Sequence, residues 1–189
     1  MGTLAATQRT ASDARGRATG LLGAAAAALW LLGLSVPAFA DGSSLDKARS
    51  VISGVYALAE WHADGKVYRP PQVDGRFIVL DGTITTILHN RSQAQAPTTS
   101  VYVGTYTLDS GTFSYAYEDV STYTEGSSGA SASHQPLWKG LRSFTVSVEG
   151  DAVHFRAASG PQEFVFTAAG VTYTDDGKPL RVWRRVTGR

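Results

Sequence analysis

Cysteine is absent from all 189 residues. That excludes disulfides, thiolate metal sites and cysteine nucleophiles, and leaves the fold to be held by its own core. A basic excess is missing as well: 17 Lys and Arg stand against 16 Asp and Glu, for a net charge of +1. Nucleic-acid binding is dominated by phosphate neutralisation, so this balance argues against such a partner. Long apolar runs are also lacking. The longest, Leu21 to Leu34, has 14 residues, whereas a transmembrane helix needs about 20. Helical periodicity is scarce too, and is confined to Ser44 to Ser53, where Leu45, Ala48, Val51 and Ile52 fall on one face.

The amino-terminal forty residues differ from the rest. Arg9, Arg15 and Arg17 precede the apolar run, and Pro37 and then Ala38-Phe39-Ala40 follow it. A basic leader, an apolar stretch and small residues flanking a cleavage point are the marks of a secretory signal. The alternative is an amino-terminal membrane anchor, for which the run is short. Cleavage after Ala40 is the expectation, with export to the periplasm or the medium and no stable membrane span afterwards. Without its leader the chain has one more acid than base. The expected organisation is a signal peptide over 1–40, a helical lead-in over 41–53, a β-domain over 54–186 and a tail over 187–189.

From Gly54 onward the pattern has period two, dense in Val, Thr, Tyr and Phe and cut by Asp-Gly and Gly-Asp pairs. Asp81-Gly82 between Gly75–Leu80 and Thr83–His89 is a hairpin signal. Val101–Leu108 and Thr112–Asp119 flank a second turn, and Ser143–Glu149 and Ala152–Ala157 a third. Gln162–Thr167, Val171–Asp175 and Leu180–Val186 complete the series. Even strand spacing and tight turns predict an all-β, up-and-down antiparallel barrel, which removes sheet edges by closure. Thr124 to Gln135, rich in Gly, Ser and Ala, reads as a surface excursion.

Several motifs, in order, resemble the bacterial lipocalin-like domain family. They are Gly54-Val55-Tyr56 opening the first strand, Gly75-Arg76-Phe77-Ile78-Val79 before Asp-Gly, and Gly104-Thr105-Tyr106 in mid-chain. Pro136-Leu137-Trp138-Lys139-Gly140, Glu149-Gly150-Asp151 and a closing Val182-Trp183-Arg184-Arg185-Val186 follow. The resemblance implies a lipocalin-like barrel whose final-strand Arg packs over the aromatic of the first strand, and a small hydrophobic or amphipathic ligand in its interior.

Catalytic and metal signatures are thin. His62, His89, His134 and His154 have no metal-ligand spacing, and Ser128 does not sit in a Gly-x-Ser-x-Gly turn. No catalytic residue, metal site or cofactor is assigned. The aromatic residues say more. Tyr102 and Tyr106 share a strand face with Gly104 between them, leaving space for a flat molecule, and Tyr115 and Tyr117 form a second face with Phe113. Either these faces line a ligand pocket or they fill the core. With Tyr56 inward, strand parity also turns Leu58 and Glu60 inward. Arg185 shares a face with Trp183 and Arg181, so Glu60 can meet Arg181 or Arg185, as a ligand anchor or as a salt bridge closing the barrel. His134, Pro136 and Trp138 are candidates for a lid. The candidate ligand residues are therefore Tyr56, Leu58, Glu60, Tyr102, Tyr106, Tyr115, Tyr117, Trp138, Trp183 and Arg185. A binding module is the first reading. A cyclase or isomerase using Glu60 is the second, and an exported inhibitor or envelope protein acting through protein contacts is the third.

Overall fold

Helical spacing with no β-branched residue before Val51 produces α1, Gly42–Ile52, whose buried residues Ala48 and Ile52 lie one turn apart. The computed structural model describes residues 42–109, 111–126, 129–135 and 141–187. The signal-peptide reading and Trp138 lie outside them. Among the described residues no helix is long and apolar enough to cross a membrane.

Strands β1 (Gly54–Ala63), β2 (Lys66–Tyr68), β3 (Val73–Leu80) and β4 (Thr83–Asn90) follow the helix. Next come β5 (Thr98–Leu108), β6 (Thr112–Gly126) and β7 (Gly129–Gln135). The series ends with β8 (Arg142–Glu149), β9 (Ala152–Ala157), β10 (Gln162–Thr167), β11 (Gly170–Asp175) and β12 (Lys178–Arg185). All pairings are antiparallel, and apart from the short β2 and the added β7 each strand lies beside its sequence neighbour. Pairing of β12 with β1, with Tyr56 opposite Arg185 and Leu58 opposite Trp183, closes a ten-stranded barrel. The expected all-β meander and its closure are both present, with ten strands where lipocalins have eight.

The segment expected to be a surface excursion is instead a hairpin. β6 runs on to Gly126 and pairs with β7 from Val120 opposite Gln135 to Gly126 opposite Gly129. Residues 129–133 are exposed, so backbone hydrogen bonds and the threonines of β6 hold this extension rather than burial. Low hydrophobicity concealed it in the sequence.

Two irregularities re-aim side chains. Between Leu58 and Glu60 the register against β12 shifts, with Leu58 opposite Trp183 and Glu60 opposite Val182. The extra residue, Ala59, reverses the parity of the strand. Between Val103 and Gly104 the β5–β6 register shifts, Val103 facing Asp119 and Gly104 facing Tyr117. A Cβ on Gly104 would collide with the Ala116 carbonyl and the Tyr117 Cα. The space that Gly104 leaves is thus taken up by β6 and is not open to a flat ligand. Gly104→Ala is expected to destabilise the protein by about 2 kcal/mol through overpacking against backbone, which a lowered urea midpoint would register.

The two ends of the barrel are unlike. At one end α1 packs against β9 and β10, and Lys47 Nζ donates to the Gly150 carbonyl of the β8–β9 turn at 2.7 Å. The orphan carbonyls of the last helical turn are met from the barrel. Tyr56 donates its hydroxyl to Ile52 O at 2.8 Å, and Arg185 Nη1 reaches Ser53 O at 2.7 Å. Arg185 Nη2 donates to Val51 O and, at 2.8 Å, to the Tyr56 hydroxyl. The guanidinium carbon lies 4.9 Å from the Tyr56 ring centre. Above this plug, Phe113 stacks on Phe155 at 4.5 Å, and Phe155 meets Phe166 at 5.2 Å. Val146, Val153 and Val79 fill the remaining space with no exposure.

Candidate functional site

The other half of the barrel is hollow. Above the aromatic layer lies a cavity of about 300 Å³, at the lower end of the ~300 to 1,000 Å³ range of small-molecule sites. Phe77, Leu88, Phe164, Leu180 and Trp183 supply apolar wall. Tyr102, Tyr115, Tyr117 and Tyr173 bring phenols to it, Thr86 a hydroxyl, and Arg142 and Arg181 charge. No acid is among the lining residues. Exposed Arg142 marks the solvent side, where the pairing of β6 with β8 ends at Tyr115 opposite Arg142.

Strand alternation explains the lining. Thr86 and Leu88 share the inner face of β4, opposite Tyr102 and Ser100 of β5. Tyr115 and Tyr117 project inward from β6 and pack edge to face at 5.4 Å. Tyr173 stacks on Phe164 at 4.4 Å, which fixes that wall. The Tyr117 hydroxyl shares a 2.6 Å hydrogen bond with Thr86 Oγ1, and Arg142 Nη1 donates to the Tyr115 hydroxyl at 3.4 Å.

Four of the ten candidate ligand residues meet at this cavity: Tyr102, Tyr115, Tyr117 and Trp183. Tyr56, Leu58 and Arg185 belong to the packed, helix-plugged half. Tyr106 lies beside Phe113 at 5.6 Å and does not line the cavity. Trp138, Pro136 and the side chain of His134 lie outside the described residues. Glu60 is turned the other way by the Ala59 bulge. It meets neither Arg181 nor Arg185, but accepts from Arg69 Nη2 at 2.6 Å and lies 2.9 Å from His62 Nε2. These hydrogen bonds, Arg69's first, hold its carboxyl below the usual range. A catalytic acid held neutral by an apolar site would be shifted upward, so the cyclase or isomerase reading loses its acid. Arg69→Ala is expected to return the Glu60 titration toward the ordinary carboxylate range, as read by NMR.

The same bulge brings Trp61 inward, opposite Arg181, whose guanidinium carbon stands 4.7 Å from the indole centre. Trp61, Tyr173 and Phe164 were missed as site residues in the sequence, where Arg181 entered only as a possible partner of Glu60. The available signal was the shared face of Arg181 and Trp183.

Burial pushes the Tyr56 phenol up to about 12, the Arg185 charge opposing it. Burial also raises Tyr115 and Tyr117. The folded state therefore retains phenolic protons that the unfolded chain releases near pH ~10. Stability contributed by these groups is complete below that pH and is lost as pH rises toward and through the folded values. Unfolding followed against pH should show a fall from about pH 10 upward, shallower in Tyr56→Phe.

No family model, characterised protein or solved structure has a significant match to this chain. The functional reading therefore stands on the geometry of the barrel.

Proposed function

We propose that this chain is an exported, lipocalin-like barrel that binds one small amphipathic molecule in its hollow half. The observation carrying the proposal is the apolar cavity of about 300 Å³ fringed by phenols and arginines. The aromatic rings continue from the plugged half up the walls, from Phe166 to Phe164 and Tyr173 and from Phe113 to Tyr115 and Tyr117, and leave the space between them open. The lipocalin-like reading is supported by Arg185 of the last strand lying over Tyr56 of the first, as that resemblance implies. Export to the periplasm or medium rests on the basic leader, apolar run and Ala38-Phe39-Ala40.

Native mass spectrometry of the exported protein, before and after organic extraction, tests both parts. The expected polypeptide begins at Asp41 and carries a discrete extra mass that extraction removes. Adding back the extracted molecule should change the fluorescence of Trp183, which lines the cavity. A bare polypeptide that also ignores a panel of lipids and aromatic metabolites would favour a protein-facing role. A mass retaining residues 1–40 would remove the export reading.

A further inference from the structure

We infer that the hollow half of the barrel is built for an anion, and that Arg181 is the counter-ion for the carboxylate of a small aromatic or medium-chain monocarboxylate. This rests on the ligand-binding reading above and specifies the chemical class that the site takes.

Arg181 is held by strand pairing between Trp61 of β1 and Tyr173 of β11, and it lines the cavity. Its Nε is buried without a hydrogen-bond partner. Among the described residues no carboxylate reaches it; the acids nearest in sequence on the neighbouring strands, Glu60 and Asp175, are engaged elsewhere, with Arg69 and Gln162. A guanidinium stays protonated at any physiological pH, so this is a permanent positive charge. Burial disfavours the charged form. Stacking on Trp61 offsets part of the lost hydration. The residue as a whole is half-buried, and a charge drawn partly out of water without an ionic partner destabilises the fold that contains it.

The surroundings fit a small oxyanion carried on an apolar body, and a carboxylate is the smallest such head group. A guanidinium presents parallel N–H donors that match two carboxylate oxygens. The second cation, Arg142, stands on the solvent side, where its field favours entry of an anion. Phe77, Leu88, Phe164 and Trp183 form a wall for an apolar body attached to the anionic head. The cavity volume limits that body to a single ring system or a short chain.

The test is calorimetric titration of the purified protein with 2-naphthoate and octanoate, each against its neutral analogue, 2-naphthol and octanol. At least one carboxylate should bind about 10-fold or more tighter than its alcohol, and Arg181→Met should erase that preference. Arg181→Lys should keep part of it. Without ligand, Arg181→Met should unfold at a higher temperature than the native protein, because an anchor held ready for a ligand costs stability. Equal binding of carboxylates and alcohols would overturn the anion assignment while leaving a binding barrel. Arg181→Met that fails to fold or unfolds earlier would make the arginine structural and overturn it too. If none of the four probes binds, the ligand-binding reading falls and the assignment with it.

Discussion

Replacing Arg185 by alanine is expected to destabilise the protein by about 3 kcal/mol, the sum of charge-assisted hydrogen bonds worth roughly 1.5 to 3 kcal/mol each less partial replacement by water. The guanidinium ties together the carboxyl end of α1, the start of β1 and the end of β12, at the seam where β1 and β12 pair. Carbonyls that close a helix attract a cation, so the helix dipole adds to the individual bonds. Tyr56→Phe keeps the ring under Arg185 and removes only the hydroxyl, and its expected cost is nearer 1 kcal/mol. The two variants should differ in kind as well as size. In Arg185→Ala the amides of α1 should exchange with solvent faster than those of the central strands, because the helix can leave while the barrel stays paired. Uniform acceleration over helix and strands would mean that α1 and the barrel unfold as one unit. An unchanged denaturant midpoint would show that the contact is energetically idle.

Phe155→Ala is expected to cost about 3 to 5 kcal/mol. Phe155 has no solvent exposure and lies between Phe113 and Phe166 in the packed half of the barrel. Rigid strands on either side leave little scope for collapse, so most of the void would persist. Leu88→Ala makes a useful contrast, because Leu88 already faces empty space. It should cost about 2 kcal/mol, toward the low end for a buried leucine, and should shift ligand preference toward larger bodies. Denaturant unfolding gives both energies, and titration with ligands of graded size gives the second effect. Equal costs at the two sites would contradict a barrel packed in one half and hollow in the other.

Much of the fold can be read from particular residues. Phe144, Val146 and Val148 alternate with Ser143, Thr145 and Ser147, and a slip of one residue would expose the wrong set. Asp81-Gly82 and Gly150-Asp151 place turns where the chain does turn, with Asp81 and Gly150 at positive φ. Alternation also placed Tyr102, Tyr115, Tyr117 and Trp183 on inner faces, which is why the sequence reaches these four cavity residues.

What escaped that reading depended on neighbours. Periodicity assumes an unbroken strand, and the register of β1 against β12 shifts at Ala59. That one extra residue exchanged Glu60 for Trp61 as the side chain beside Arg181. The space beside Gly104 looked open along its own strand and is occupied by the backbone of the next. The hairpin of β6 and β7 is held by backbone hydrogen bonds, which composition does not register.

By itself, then, the amino-acid sequence determined the class of structure, the order of its strands and the faces most of them bury, because period two and turn chemistry act within a few residues. It also determined that no thiol chemistry takes place here. Only the tertiary structure decided that one half of the barrel is plugged and the other hollow, that Glu60 is outside, and that Arg181 is inside with no carboxylate beside it among the described residues. Those outcomes depend on barrel closure, which brings together residues as far apart as Trp61 and Arg181 and sets by bulge and register which of them face inward.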